Sequence, residues 1–251
     1  FVRFPVIKTT QKELDGASIV IWTTTPWTMP GNRAVAFGPE YDYAIFRVDA
    51  VNEDSLAVVG ERLILASPLA DSVKAAAGIS EWILEGPATG LEGTICKHPL
   101  NGQGYDFDVP ALPGDFVEME TGTGFVHIAP GHGADDWELG TAHDIAGPDT
   151  VGGDGLFFDH VPLFAGKHVF KVNPEVVETL KDAGGLLASG KLVHSYPHSW
   201  RSKAPLIFRN TPQWFISMDK SDLRKKALKA IDETKFYPAT GRNRLQGMIE
   251  S

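Results

Sequence analysis

The pattern that most constrains the fold is a series of short runs with strand-type alternation or β-branched residues, separated by Gly, Pro and Asp. We predict strands at residues 18–23, 34–37, 43–48, 55–59, 82–84, 116–119, 124–128 and 191–196. Helical periodicity occurs in fewer segments, at residues 68–77, 135–144, 174–183 and 221–233. Because strands and helices do not alternate regularly, an α+β fold is favoured over a doubly wound parallel sheet. We expect a curled, barrel-like mixed sheet with short flanking helices.

Two of the predicted helices carry local signals. The third has Asn173 as its expected N-cap, Pro174 in its first turn and glycines after its last turn. The fourth places Leu223, Ala227 and Ile231 four residues apart, and its remaining surface is rich in Lys and Arg. It is therefore predicted to be amphipathic and basic.

Composition excludes several classes of protein. The chain has 251 residues, of which 43% are hydrophobic and 22% are charged, which is typical of a globular protein. No run approaches the roughly 18 consecutive apolar residues that cross a bilayer, so a membrane protein is not expected. A single cysteine, Cys96, permits neither an internal disulfide nor a cysteine-based zinc cage. We expect a reducing compartment, the cytoplasm.

Charged residues are distributed unevenly along the chain. The net charge is −9, but Lys and Arg outnumber Asp and Glu in residues 197–251, whereas the acidic residues dominate before them. A basic carboxyl-terminal part could face a polyanion locally, although a solvated basic helix face accounts for the same residues. We expect one domain over residues 1–251, with residues 197–251 as a basic, aromatic-rich subregion. Both ends are abrupt, so a piece of a larger protein is expected.

The first motif with chemical potential is W-T-T-T-P-W-T-M-P-G-N, residues 22–32. Pro26 and Pro30 remove backbone donors and restrict φ, so the preceding strand must end in a stiff turn. The three threonines offer hydroxyls that donate and accept hydrogen bonds, and such a strip could hold a ribose, an ester or a water molecule. The same residues also fit an ordinary strand end, with Asn32 in a turn.

The second motif is G-T-G-F-V-H-I-A-P-G-H-G-A-D-D-W-E-L-G, residues 122–140. A strand with His127 leads through a glycine turn into a helix whose first turn contains Asp135 and Asp136. Free N–H groups and the helix dipole favour the ionised carboxylate there, which could bind an ammonium group. Two alternatives stay open: a metal site that includes His132, and a purely structural turn with aspartates that cap the helix.

The third motif, residues 196–215, interleaves aromatic residues with Arg201, Lys203 and Arg209. Stacking faces beside cations suit a single-stranded nucleic acid or a neighbouring domain. A packing segment rich in aromatic residues is an equal alternative. Neither G-x-G-x-x-G nor G-x-x-x-x-G-K-[ST] occurs in the chain.

As a set and in this order, the motifs W-T-T-T-P-W-T, G-T-G-F-V-H-I-A-P-G-H-G-A-D-D and P-H-S-W-R-S-K with T-P-Q-W-F resemble the editing (connective insertion) domain of bacterial-type isoleucyl-tRNA synthetases. Valyl and leucyl relatives typically have arginine where Pro26 stands. Ser199 and Ser202 replace cysteines that many relatives have, which removes a zinc site there, and Gly31 replaces a frequent alanine.

The resemblance implies hydrolytic proofreading of valyl-tRNA(Ile), and leaves open whether valyl-adenylate is hydrolysed too. One methylene in an apolar pocket is worth only about 1–3 kcal/mol, a general limit for which isoleucyl-tRNA synthetases are themselves the standard example. The implied partners are the tRNA(Ile) 3′ acceptor end, the valine moiety and the remainder of the synthetase. No cofactor is implied in this domain, whereas the full-length enzyme would use ATP.

The resemblance also assigns roles to residues. Asp136 holds the α-amino group, His127 is a steric wall against isoleucine, and Asn32 supports the threonine loop. Thr23, Thr24 and Thr25 line the aminoacyl and adenosine pocket, with water as the nucleophile, although the sequence leaves a histidine base open. The further residues expected to contact substrate are Trp22, Trp27, Gly131, His132 and Asp135. The alternative functions are a non-catalytic module that binds the acceptor end, and a metal hydrolase that uses His127, His132 and Asp135.

Overall fold

The computed structural model describes residues 1–193 and 195–251 and contains a mixed nine-stranded sheet with few helices. The strands are β1 (Val2–Lys8), β2 (Ser18–Ile21), β3 (Ala34–Phe37), β4 (Tyr43–Val51), β5 (Arg62–Ala66), β6 (Ile79–Pro87), β7 (Ile95–Lys97), β8 (Asp108–Pro113) and β9 (Phe125–Ile128). The α-helices are α1 (Ala70–Ala76), α2 (Ala134–Ala142), α3 (Val169–Asp182), α4 (Leu223–Glu233) and α5 (Gly241–Glu250).

The strand order is β6–β4–β5–β2–β1–β7–β8–β3–β9. Two neighbouring pairs, β2 with β5 and β3 with β8, are parallel, and the other pairs are antiparallel. The expected α+β class with a mixed sheet is therefore confirmed. Among the described residues no ladder joins β6 to β9, so the sheet is open rather than a closed barrel.

The sheet nevertheless curls, because the residues just before β9 lie beside the first residue of β4 and the last residue of β5. The Ala66 N–H donates to the Thr123 carbonyl over 2.8 Å. The Tyr43 hydroxyl donates to the Gly124 carbonyl over 2.6 Å and accepts from the Gly38 N–H over 2.9 Å. These bonds hold β9, at one end of the strand order, against strands near the other end.

Helix α3 covers part of the main core. It buries Val169, Val172, Val176 and Leu180, a spacing that follows the helical repeat. Each such side chain contributes about 1.5–3 kcal/mol when it is fully removed from water. The helix begins five residues earlier than predicted: His168 is the N-cap and its side chain accepts from the Phe170 N–H, whereas Asn173 and Pro174 lie inside the helix.

Several predicted strands are absent. Residues 55–58 are irregular and residue 59 begins a turn; Ser55 Oγ accepts from the Ala57 N–H, and Glu61 Oε1 accepts from the Val58 N–H. Residues 116–119 form a loop without strand structure, and no strand occurs at 191–193 or 195–196; His194 lies outside the described residues. Conversely, β1, β5, β7 and β8 were not predicted. Pro5 within β1 argues against a strand in sequence reasoning, yet it is paired with Ser18.

The chain divides into two units, Phe1–Asn210 and Thr211–Ser251. The second contains α4 and α5, of which only α4 was predicted, and Ile231 is its one buried hydrophobic residue. In the described part of the chain, no helix has both the length and the apolar character required to cross a membrane.

Candidate active site

A cleft of about 480 Å³ in the first unit brings the first two sequence motifs together. One side is formed by the chain that leaves β2, and another by β9 and the start of α2. The cleft is lined by Trp22, Thr23, Thr24, Thr25, Trp27, Thr28, Phe116, Glu118, Thr121, Gly122, Gly124, Phe125, Val126, His127, Ala129, His132, Asp136, Tyr196 and Phe208.

The threonine strip is a stiff turn, as the sequence predicts. After β2 the chain passes into a 3₁₀-helix, Pro26–Gly31. Thr23 Oγ1 accepts from the Thr25 N–H over 3.0 Å, and the Thr24 and Thr25 hydroxyl oxygens lie 3.5 Å apart. The strip therefore presents two neighbouring hydroxyls at the cleft.

Two residues outside the motifs fix this turn from behind. Asn173 Oδ1 on α3 accepts from the Trp27 N–H over 3.0 Å. The buried His98 has its Nδ1 3.1 Å from the Leu100 N–H and its Nε2 3.0 Å from the Met29 carbonyl. Burial lowers the pKa of His98 to about 3. The sequence indicated Asn173 only as an N-cap and did not single out His98, because both contacts join segments that are distant in sequence.

His127 is placed in the wall of the cleft by the pairing of β9 with β3. Its Nε2 lies 2.9 Å from Thr28 Oγ1, and its Nδ1 lies 3.4 Å from Asn32 Nδ2. Burial is the largest cause that lowers the pKa of His127 to about 4, with His132 adding to the effect. The imidazole is therefore neutral at physiological pH.

Asp136 faces the same cleft from the first turn of α2. Its Oδ1 accepts from the Ala129 N–H over 2.6 Å. A Cβ at Gly133 would lie 2.1 Å from Asp136 Oδ2, so only glycine leaves room for the carboxylate in this position. Burial raises the pKa of Asp136, and hydrogen bonds from backbone N–H groups oppose that change. The net shift of this pKa is therefore opposite in direction to the one expected from the helix N-terminus.

His132 links the cleft to two loops. Its Nδ1 lies 2.8 Å from the Phe208 carbonyl and its Nε2 lies 2.7 Å from Thr150 Oγ1. The ring meets Trp27 edge-on at 5.0 Å, and burial lowers its pKa. A Cβ at Gly31 would lie 2.8 Å from His132 Cδ2. The absence of a side chain at residue 31 therefore allows the imidazole to pack closely against the backbone there.

Three of the site residues named from the sequence do not line the cleft. Asn32 is fully buried behind His127, and Asp135 is exposed on the outer side of α2. Gly131 lines a separate cavity of about 180 Å³ with Trp137 and Arg209. Because Asn32 is fully buried and lies beside His127, the geometry is that of a supporting residue.

Nine side chains of the cleft were not named as site residues from the sequence: Thr28, Phe116, Glu118, Thr121, Phe125, Val126, Ala129, Tyr196 and Phe208. Residues 114–124 lie directly before the strand that carries His127. The Gly and Pro residues that bound this segment are typical of a loop and could have predicted one beside β9. Its run of Phe, Val and Met instead favoured a strand.

The geometry does not favour a metal centre made from His127, His132 and Asp135. Both imidazoles have each ring nitrogen within hydrogen-bond distance of a protein partner, and Asp135 lies outside the cleft. In residues 1–193 and 195–251, no group of three or more His, Cys, Asp or Glu side chains is arranged to hold a metal ion.

Comparisons with known proteins agree with the resemblance. A family model for class I tRNA synthetases (I, L, M and V) matches residues 16–251. The isoleucine–tRNA ligase of Gluconobacter oxydans (strain 621H) is 48% identical over 266 aligned residues, which cover 100% of this chain and 28% of that protein. The isoleucine–tRNA ligase of Pelagibacter ubique (strain HTCC1062) is also 48% identical, with the same coverage of both chains.

The fold also has a known counterpart. The crystal structure of the P. knowlesi cytosolic leucyl-tRNA synthetase editing domain matches with a TM-score of 0.52 at 12% identity, covering 75% of this chain and 96% of that chain. At this identity the match concerns the fold alone. The chain spans about 28% of the length of the curated relatives named above. On the combined grounds of sequence and fold, the chain belongs to the class I tRNA synthetase family and has the fold of a synthetase editing domain.

Proposed function

We propose that the cleft hydrolyses valyl-tRNA(Ile), and so removes valine that has been attached to the wrong tRNA. The observation that carries the proposal is that Asp136 and the threonine strip line one cleft although they lie far apart in sequence. A carboxylate there would bind the α-ammonium group of an aminoacyl ester, and the threonine hydroxyls would face its carbonyl and ribose. The family membership and the editing-domain fold support the same function.

The reaction needs positioning more than it needs a strong catalyst, because an aminoacyl ester is already activated. Water attacks the ester carbonyl, the bond from the carbonyl carbon to the ribose oxygen breaks, and that oxygen takes the proton. Valine and tRNA(Ile) are released. Thr24 and Thr25 offer hydroxyl donors for the water or for the developing oxyanion, and positioning of this kind accounts for large rate effects.

Selection by the size of the amino acid side chain would come from the part of the cleft wall formed by His127. His127 is buried and hydrogen-bonded at both ring nitrogens, so the ring cannot move aside cheaply. A rigid wall penalises one extra methylene by about 1–3 kcal/mol, which is the cost of overpacking. Valine would therefore enter, and isoleucine would be excluded.

The partners in this proposal are the 3′ acceptor end of tRNA(Ile) and the remainder of a synthetase chain. Residues 197–251, with their excess of Lys and Arg, would lead back toward the catalytic core and contribute positive charge along the RNA. No cofactor is required by the ester hydrolysis itself.

The test is Asp136→Asn, which keeps the shape of the side chain and an oxygen for the Ala129 N–H but removes the charge. Losing one charged hydrogen-bond partner of the ammonium should lower kcat/KM for valyl-tRNA(Ile) by roughly 10- to 150-fold, since such bonds contribute about 1.5–3 kcal/mol. Hydrolysis of the α-hydroxy acid analogue, which lacks the ammonium group, should be unaffected by the same change.

Glu138→Gln is the matched control, because Glu138 is an exposed carboxylate on the same helix that does not line the cleft. Its deacylation rate should equal that of the unmodified chain. Equal losses for the amino acid and hydroxy acid esters in a folded Asp136→Asn variant would refute the ammonium role. A chain that binds the acceptor end without deacylating it would instead be a binding module.

A further inference from the structure

The hydrogen bonds around His127 form one directed chain. The Thr28 hydroxyl donates to the Thr25 carbonyl over 2.8 Å, so its oxygen is free to accept from His127 Nε2 at 2.9 Å. On the other side of the ring, Asn32 Nδ2 lies 2.9 Å from the Ala34 carbonyl and 3.4 Å from His127 Nδ1.

The orientation of the Asn32 amide decides which groups donate and which accept in this chain of hydrogen bonds. A carbonyl oxygen can only accept, so the group facing Ala34 must be the NH₂ group of Asn32. The second N–H of that group then points at His127 Nδ1, which must carry a lone pair. Asn32 Oδ1 is buried and has no hydrogen-bond partner among the described residues, an arrangement that is unfavourable for a polar atom. The amide therefore satisfies its NH₂ group and leaves its oxygen without a hydrogen bond.

We infer that Asn32 is a positioning residue that fixes His127 as the neutral Nε2–H tautomer. In this state Nδ1 accepts from Asn32, Nε2–H donates to Thr28, and neither nitrogen is available to take a proton from water. His127 therefore acts as a wall of fixed orientation and not as a general base. The catalytic consequence of this tautomer rests on the proposed hydrolytic function. The assignment of the tautomer does not depend on that function.

Two further histidines, the buried His98 and the half-buried His132, provide internal references. His98 has Nε2 against the Met29 carbonyl and is also an Nε2–H tautomer. His132 has Nδ1 against the Phe208 carbonyl, so it is the Nδ1–H tautomer. These are also the titratable groups that act electrostatically on His127 or are acted on by it. Long-range ¹H–¹⁵N NMR spectra of the ¹⁵N-histidine-labelled chain at neutral pH distinguish the two tautomers.

The experiment compares the unmodified chain with Asn32→Asp and Thr28→Val. The unmodified chain should show His127 and His98 as Nε2–H and His132 as Nδ1–H. In Asn32→Asp the carboxylate can only accept, so the His127 signals should shift to the Nδ1–H tautomer or to imidazolium while His98 and His132 keep their signals. In Thr28→Val the His127 tautomer should remain Nε2–H, because Asn32 is intact.

An Nδ1–H tautomer of His127 in the unmodified chain would overturn the inference. So would an unchanged His127 in folded Asn32→Asp, or a switch in Thr28→Val, since the latter would make Thr28 the determinant. If Asn32→Asp does not fold, the unmodified chain and Thr28→Val still decide the matter. These spectra do not depend on turnover, so an inactive chain with the expected tautomers would refute the proposed function alone.

Discussion

Replacing His127 with alanine tests the size gate most directly. The imidazole lies in the cleft wall, within hydrogen-bond distance of Thr28 and Asn32, and under the proposed function its removal should admit a longer aliphatic side chain. If His127 is the proposed wall, the extra methylene of isoleucine should meet an overpacking cost of about 1–3 kcal/mol in the unmodified cleft. In the truncated cleft that cost disappears, and burial of the methylene adds about 0.8 kcal/mol.

The two effects sum to about 2–4 kcal/mol, and 1.4 kcal/mol corresponds to a tenfold change. His127→Ala should therefore raise hydrolysis of isoleucyl-tRNA(Ile) relative to valyl-tRNA(Ile) by roughly 30- to 700-fold. The assay is deacylation of both labelled aminoacyl-tRNAs under single-turnover conditions. Circular dichroism and a thermal melt are needed alongside, because two buried hydrogen-bond partners lose their imidazole.

His98→Ala is the matched control. It also removes a buried imidazole, but His98 does not line the cleft. Its loss should lower stability and leave the ratio of the two substrates unchanged. An unaltered ratio in folded His127→Ala, or an equal change in His98→Ala, would refute the assignment of the wall.

Three further outcomes are expected. Gly133→Ala should abolish deacylation in a folded chain, because its Cβ would lie 2.1 Å from Asp136 Oδ2 and displace the carboxylate. Asn173→Ala should lower both the melting temperature and kcat, since the Trp27 N–H loses its acceptor at a cost of about 1–3 kcal/mol. Because the folded pKa of His98 is about 3, against 6.5 as its ordinary value, the folded chain binds fewer protons, and urea unfolding should show stability falling as the pH decreases below about 6.5.

Each of these outcomes has a control. Gly190→Ala places a Cβ where nothing lies within 4 Å and should leave deacylation unchanged. Asn173→Asp retains an acceptor for the Trp27 N–H and should recover most of the lost activity. His98→Gln should reduce the dependence of stability on pH, and an identical dependence would contradict the role of that histidine.

Local sequence signals located most of the elements that form the cleft. The prolines around the threonine strip predicted a stiff turn, and the Pro26–Gly31 helix is one. The run at 124–128 and the glycines after it predicted the strand, turn and helix that carry His127 and Asp136. These features are specified within a few residues of chain, so the sequence alone reveals them.

Features that depend on distant contacts could not be predicted in this way. Asn173 has the sequence context of an N-cap, yet tertiary contacts extend the helix to Val169 and turn the side chain toward Trp27. The first turn of α2 favours an ionised Asp136, whereas burial by the surrounding cleft raises its pKa. Strand β1 was missed because Pro5 weakens its pattern, although pairing on both sides stabilises it.

The bond from His132 to the Phe208 carbonyl also bears on synthesis of the protein. The wall of the cleft begins at Trp22, and Phe208 is its last contributor. During synthesis the threonine strip is therefore made early, and Phe208 is made late. No shortened product that stops before Phe208 can contain the full set of walls, so the site matures only after almost the whole first unit has left the ribosome.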